Sequence, residues 1–289
     1  MTRELVSLDE GMVLAQYGPM RLTIQAWTAA GPDTALARQA GEFSFTLLPR
    51  LVPAMEIFRR NKPFEELRPD YDEPLFNQMI VAARNTGQKD LGPMATVAGI
   101  VSETVALYLK EAGAVKAIVE NGGDVAVHLG PGRTAKVGVR LGLDQVTPNY
   151  SLELTAKRNP MWGLASSGLG GRSLTRGIAD TALCVAPSCT AADAAATAVA
   201  NAVTVGSASI KRVPAEVLRP DTDIAGLMVT ESVGELTEME IAAALESALK
   251  YAQSLVDKNI ISGALIALRG KVVLTRDFNE RVSELVPLK

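Results

Sequence analysis

The 289-residue sequence predicts a fold that mixes helices and strands, α+β or α/β, on three observations. In the middle of the chain a helical spacing of apolar residues gives way to short strands broken by Gly turns. Near the C-terminus a capping box opens another helix, and a Gly-turn hairpin follows it. The composition supports a substantial core: 47% of the residues are apolar and 21% charged, which excludes disorder over most of the chain. The length suits one large domain or two interlocked halves, and a third independent unit is not expected.

Taken in order, Met20 to Ala26 place Leu22, Ile24 and Ala26 on one face and Arg21, Thr23 and Gln25 on the other, the period of a half-buried strand. From Asp33 to about Arg60 the pattern is mostly helical, with Pro49 and Pro53 marking kinks or a break at Arg50 to Val52. Pro63, Pro69 and Pro74, with Asp70, Asp72 and Glu73, make Lys62 to Pro74 a surface connector, and a strand or helix then leads to Asn85. The plainest helix spans about Met94 to Glu111, where Val97, Val101, Thr104, Val105 and Tyr108 recur at spacings of three and four, and Gly113 ends it. Val115 to Val119 reads as a strand that runs into Asn121-Gly122-Gly123-Asp124 and resumes over Val125 to Leu129; Lys136 to Leu141 is a further strand. After a Gly-rich Ser166 to Ser173, a strand at Thr181 to Ala186 precedes an Ala-rich helix from about Ala191 to Val205. Thr237-x-x-Glu240 opens a helix carrying Ile241, Leu245, Leu249 and Val256 on one stripe. Ala264 to Leu268 and Val272 to Arg276 form a hairpin about Arg269, Gly270 and Lys271.

Six Phe, five Tyr and two Trp leave the core to Ala, Val, Leu and Ile, and supply no stacking platform for single-stranded nucleic acid. With 29 basic and 32 acidic side chains and no long run of one sign, no electrostatic footprint for DNA or RNA is present. Two cysteines, Cys184 and Cys189, and a single His128 argue against a disulfide scaffold and fall short of a structural zinc set. Glu4, Asp9 and Glu10 stand where a signal peptide needs an unbroken apolar stretch. The best apolar segment, Ala191 to Val203, is interrupted by Asp193 and does not reach the roughly 18 residues of a membrane span. The expectation is a cytoplasmic protein whose partners are neither nucleic acid nor membrane.

Three segments have the residue types for chemistry. In Asn121-Gly122-Gly123-Asp124 a backbone without Cβ atoms can admit a ligand between two polar side chains; a bulged hairpin that satisfies its own backbone is the plainer alternative. In Thr190-Ala-Ala-Asp193-Ala-Ala-Ala-Thr197, four residues of helix return to the same face, so a carboxylate and a hydroxyl stand side by side among alanines, oxygen donors of the kind a hard cation such as Mg²⁺ takes. Thr190-x-x-Asp193 also fits an N-terminal cap, which taken alone is the simpler reading. Ser166 to Arg176 combines Ser167, Gly168, Arg172 and Ser173 into a stretch suited to phosphate or another anion, or to a flexible surface loop. It has neither the Gly-Lys-Ser/Thr ending of a P-loop nor the dinucleotide fingerprint. His128 and Cys184 read as packed residues.

In this order, GPMATVAGIVSE (Gly92 to Glu103), VENGGDVAV (Val119 to Val127), the Ser167-Gly168 pair and TAADAAATAVANAV (Thr190 to Val203) resemble the FAD:protein FMN transferase superfamily, formerly called thiamine-biosynthesis lipoproteins. They are most similar to its uncharacterised cytoplasmic branch. The resemblance implies an α+β, T-fold-like architecture over residues 1–289: a single chain of two interlocked, duplicated units with antiparallel sheets, helices packed on one face and a nucleotide between the halves. It implies Mg²⁺ held by Asp193, Thr197 and the Val101 carbonyl, with Asp193 and Thr197 as catalytic positions. A small phosphorylated ligand, FAD, FMN or another nucleotide, would lie against Asn121, Gly122, Gly123, Asp124, Ser167, Gly168, Arg172, Ser173 and Asp180. The implied chemistry is attack on the FAD pyrophosphate, and T-fold analogy suggests a homodimer.

Two departures stand out. The family's lysine before the metal carbonyl is Ala98, and its His-Ile-x-Asp-Pro-x-Thr-Gly loop is reduced to Gly177-Ile178-Ala179-Asp180. The alternative function suggested by the branch is a non-catalytic carrier or accessory protein in anaerobic sulfur assimilation and homocysteine formation.

Overall fold

Three antiparallel strands open the chain in the computed structural model, which describes residues 2–60, 64–142 and 147–288: β1 (Arg3–Asp9), β2 (Met12–Tyr17) and β3 (Met20–Thr28). Val13, Ala15, Leu22, Ile24 and Ala26 are buried from one face of β2 and β3, the alternation expected of half-buried strands. β1, at the sheet edge, is almost wholly exposed, so its sequence carries no inward pattern and the first hairpin goes unpredicted.

Beyond the two-residue β4 (Gly31–Pro32), Asp33 caps α1 (Thr34–Ser44) by accepting the Leu36 N–H at 2.8 Å. The helix break predicted at Arg50 to Val52 falls instead at Phe45 and Thr46. α2 (Leu47–Arg60) has Pro49 in its first turn, where the missing N–H has no helical partner to lose, and carries Pro53 within. The following stretch is not a plain surface connector: Phe64 and Leu67 are buried in the core, while Lys62 and Pro63 lie outside the described residues. The segment leading to Asn85 is a helix, α3 (Pro74–Asn85), with Pro74 at its start. A 3₁₀ turn at Pro93–Thr96 precedes α4 (Val97–Glu111), so the predicted helix begins about one turn late.

β5 (Lys116–Asn121) and β6 (Asp124–Leu129) form a hairpin whose turn residues, Gly122 and Gly123, have φ of 66° and 115°. Both are left-handed values, which the tight two-residue loop demands. β7 (Thr134–Val139), β8 (Tyr150–Thr155), β9 (Met161–Ser167) and β10 (Thr181–Ala186) follow, then α5 (Cys189–Ala202). Asp193 does not cap α5. That role belongs to Ser188, whose Oγ accepts the Ala191 N–H at 3.2 Å.

A small hairpin of β11 (Ile210–Pro214) and β12 (Met228–Val233), with the one-turn α6 (Ala215–Leu218) between them, was not legible beforehand. α7 (Glu238–Asp257) opens with the predicted reciprocal Thr237 and Glu240 bonds. The final hairpin is β13 (Gly263–Leu268) and β14 (Lys271–Leu274), followed by the short α8 (Phe278–Arg281) and β15 (Val286–Pro287).

A ten-stranded sheet runs β1-β2-β3-β5-β6-β9-β10-β13-β14, with β4 on β3 and all neighbours antiparallel. Two stretches repeat one connectivity: β2 and β3, helices, β5 and β6; then β9 and β10, helices, β13 and β14. α1 to α4 pack on the first stretch, and α5 and α7 on the second, with Ala182, Cys184 and Ala186 pointing toward them. Their alternates, Leu183 and Val185, point to the other face, which is covered by the three-stranded sheet β15-β8-β7 and by Phe278 of α8. Among the described residues no helix is long and apolar enough to cross a membrane.

Candidate functional site

α4 and α5 meet where neither carries bulk. A Cβ on Gly99 would lie 2.5 Å from the Cys189 carbonyl oxygen and 2.8 Å from Asp193 Cβ, so glycine is what permits this approach. Asp193 Oδ2 then accepts the Gly99 backbone N–H at 2.8 Å, one of the donors that a helix N-terminus leaves open. Burial raises the Asp193 pKa to about 7, against the pull of hydrogen bonds from the Gly99 and Ala98 backbone.

A second carboxylate fixes the same junction. Glu103 Oε2 on α4 accepts the Ser188 hydroxyl at 2.7 Å, the Thr190 N–H at 2.8 Å and the Thr190 hydroxyl at 2.6 Å. The start of α5 thus hangs on α4 through one negative group, placed where a helix N-terminus favours it.

Asp124 approaches from the sheet side. The Gly122-Gly123 turn delivers it to the start of β6, and its backbone carbonyl accepts the Ser102 hydroxyl at 2.9 Å. Its carboxyl takes the Ser166 N–H, yet Oδ1 is buried without a hydrogen-bond partner. Burial first, and the Asp193 charge second, push its pKa well above the usual carboxylate range; the Ser166 N–H and the Arg172 charge pull the other way.

Asp193, Asp124 and Ser166 line a cleft of about 340 Å³, whereas Gly99 and Glu103 lie behind it at the helix junction. The metal and ligand positions implied by the resemblance all border the cleft: Val101, Asn121, Gly122, Gly123, Asp124, Ser167, Gly168, Arg172, Ser173, Asp180, Asp193 and Thr197. Their engagements differ. Val101 sits inside α4, so its carbonyl also serves the helical ladder and offers a second lone pair at most. Asp180 accepts the Arg269 backbone N–H in the last hairpin. Arg172 lies over Gly122, donates to the Pro19 carbonyl at 2.9 Å, and accepts from Arg219 through its own carbonyl at 2.9 Å.

Sequence reasoning missed Arg140, an exposed lining residue just after β7, because no local motif marks it. It also missed Gly99 and Glu103, whose importance exists only once the two helices are docked. Met20, Leu48, Leu51, Val97 and Leu169 form an apolar wall, and no lysine, histidine or aromatic side chain lines the cleft among the described residues. His128 and Cys184 are buried away from it; burial lowers the His128 pKa and raises that of the Cys184 thiol.

The donor set suits a hard divalent cation: two carboxyls, one with an orphaned buried oxygen, and a hydroxyl one helical turn from Asp193. No three His, Cys, Asp or Glu side chains converge among the described residues, so remaining ligands would be hydroxyl, carbonyl, water or substrate oxygens.

Comparison with known proteins agrees with this architecture. A family model described as AbpE bacteria matches residues 3–274. A UPF0280 protein of Methanobrevibacter smithii is 28% identical over 229 residues, 77% of this chain and 83% of that one. Another, of Methanosarcina acetivorans, is 30% identical over 213 residues, 73% of this chain and 71% of the relative. Among solved structures, the apo form of the Pseudomonas stutzeri flavinyl transferase ApbE has a TM-score of 0.53 at 13% identity, covering 97% of both chains. The Thermotoga maritima ApbE protein has a TM-score of 0.53 at 12% identity, covering 98% of this chain and all of that one. At these identities the structural likeness is one of fold. The match over residues 3–274 places the chain, with its mixed helix and antiparallel-sheet fold, in the AbpE bacteria family of ApbE-like proteins.

Proposed function

We propose that the cleft binds Mg²⁺ together with a phosphorylated ligand of the flavin-nucleotide class, FAD or FMN, between two T-fold-like halves of the chain. The observation that carries this reading is the polarity of the cleft: Asp193, Asp124 and Thr197 gather oxygen donors, and Arg172 and Arg140 bring positive charge to the same space. The repeated order of two strands, helices and two strands supports a duplicated unit.

Asp193 and Thr197 would hold the cation, with the Val101 carbonyl as a further oxygen. A bound Mg²⁺ supplies Lewis-acid polarisation of a phosphoryl oxygen and clamps the phosphates. The chain's own residues do the remainder. Arg172 and Arg140 hold the anionic groups, the Gly122-Gly123 backbone allows close approach, and Met20, Leu51 and Leu169 shield an apolar ring system from water.

FMN transfer to a protein lies outside what we propose, because Ala98 replaces the family lysine and no histidine lines the cleft. The same observation favours a second reading, a carrier or accessory protein that binds the nucleotide without turning it over, as the expected role in sulfur assimilation would need.

Incubation of the purified protein with FAD and Mg²⁺ tests both. FMN and AMP as products support a pyrophosphate-cleaving enzyme, and Mg²⁺-dependent binding of intact FAD supports the carrier. Failure to bind either flavin nucleotide, with or without Mg²⁺, overturns the proposal.

A further inference from the structure

We infer that Asp124 is itself a ligand of the cation, which is therefore held between two carboxylates, one on α5 and one at the start of β6. This inference rests on the cation-binding reading of the cleft and extends it. Asp124 is 9% exposed, and its Oδ1 has no hydrogen-bond partner. Such an atom is costly in an interior where nearly all polar groups are paired.

Its surroundings define what the unpaired oxygen can accept. The Ser166 N–H is spent on the carboxyl, the Ser102 hydroxyl binds the backbone carbonyl at 2.9 Å, and the Gly122-Gly123 turn fixes the chain on the other side. The group is held from several directions while one buried oxygen, on a residue that borders the cleft, is left without a partner. Its charged neighbours there are another carboxylate, Asp193, which opposes its ionisation, and the guanidinium of Arg172, which is engaged on the Pro19 carbonyl. A neutral donor would satisfy Oδ1 but leave the two acids repelling each other; a divalent cation does both jobs. Mg²⁺ commonly takes one or two carboxylates and completes its shell with water and phosphate oxygens. Two carboxylates balance its charge, which leaves Arg172 and Arg140 for the phosphates.

Titration of the full chain with Mn²⁺, followed by electron paramagnetic resonance, tests this without any turnover. The parent should bind Mn²⁺ in the cleft, Asp193→Asn should lose that binding, and Asp124→Asn should bind at least ten-fold more weakly. Electron–nuclear double resonance in deuterated water should count one more water on Mn²⁺ in Asp124→Asn than in the parent, which a merely structural role would not produce. Circular dichroism checks folding, and Asp124→Ser replaces the amide variant if the latter misfolds, with the same expectations. Parental affinity and water count in a folded Asp124 variant would overturn the inference while leaving the cation site on Asp193 intact. Absence of Mn²⁺ binding by the parent would overturn both.

Discussion

Asp193 of α5 accepts the backbone N–H of Gly99 in the first turn of α4, 2.8 Å away, and so caps a helix other than its own. Thr96, the residue at the N-cap position of α4, makes no side-chain capping bond. The carboxyl that we assign to the cation therefore also joins two helices, and its position depends on the space that Gly99 leaves.

Gly99→Ala tests that dependence. The new Cβ would meet backbone at 2.5 Å, which cannot swing aside as a side-chain tip can. Overpacking of this kind costs about 1–3 kcal/mol, measurable by urea denaturation. Mg²⁺-dependent ligand binding should weaken as well, although no ligating atom has been removed. Parental stability would contradict the close approach of α4 and α5.

The buried acids make stability depend on pH. Asp193 is raised to about 7 from an ordinary value of 3.8, mainly by burial, and Asp124 is raised with it. A carboxyl that holds its proton more tightly when folded contributes stability that is fully present below its unfolded pKa and is lost as pH rises through the folded one. From these two acids, metal-free protein should melt at a lower temperature at pH 8 than at pH 6, by ~2–4 °C for each kcal/mol lost in a domain of this size. Asp193→Asn should flatten the slope, and saturating Mg²⁺ should raise the melting temperature at pH 8. Scanning calorimetry of parent and variant across this range checks the sign; identical slopes would contradict it.

Glu103→Gln should destabilise the protein by about 1.5–3 kcal/mol, since hydrogen bonds to charged groups are worth about that much and one oxygen here receives three donors. Thermal or chemical melts give the size. An unchanged midpoint would show that α5 does not depend on this attachment.

What could be read from sequence was local chemistry. Asp193 and Thr197 are one helical turn apart whatever the fold, and Gly122-Gly123 announces a tight turn between two strands. Both survive in the structure, along with the capping box at Thr237 and the strand at Thr181 to Ala186. Gly99, Glu103 and Arg140 were opaque because their roles come from elements distant in sequence. The cap assignment of Asp193 failed for the same reason: its partner donors lie 94 residues away at Gly99, whereas Ser188 was available next to α5. β1 was missed because an exposed edge strand has no apolar face to alternate.

Arg140→Ala should weaken FAD binding about ten-fold or more, the loss expected when a charged hydrogen bond to phosphate, worth ~1.5–3 kcal/mol, is removed. Its side chain is exposed, so folding should be unaffected, whereas Arg172→Ala also breaks the contact with the Pro19 carbonyl. Affinities at two salt concentrations provide the check. An Arg140 variant with parental affinity would remove that residue from the anion site.

Calorimetric titration of FAD into the parent and Asp193→Ala, each with and without Mg²⁺, tests the central claim most directly. Binding that requires Mg²⁺ in the parent and disappears in a folded Asp193→Ala is the expected result. Equal binding by the two proteins, indifferent to Mg²⁺, would contradict the assignment of this cleft as a cation-dependent nucleotide site.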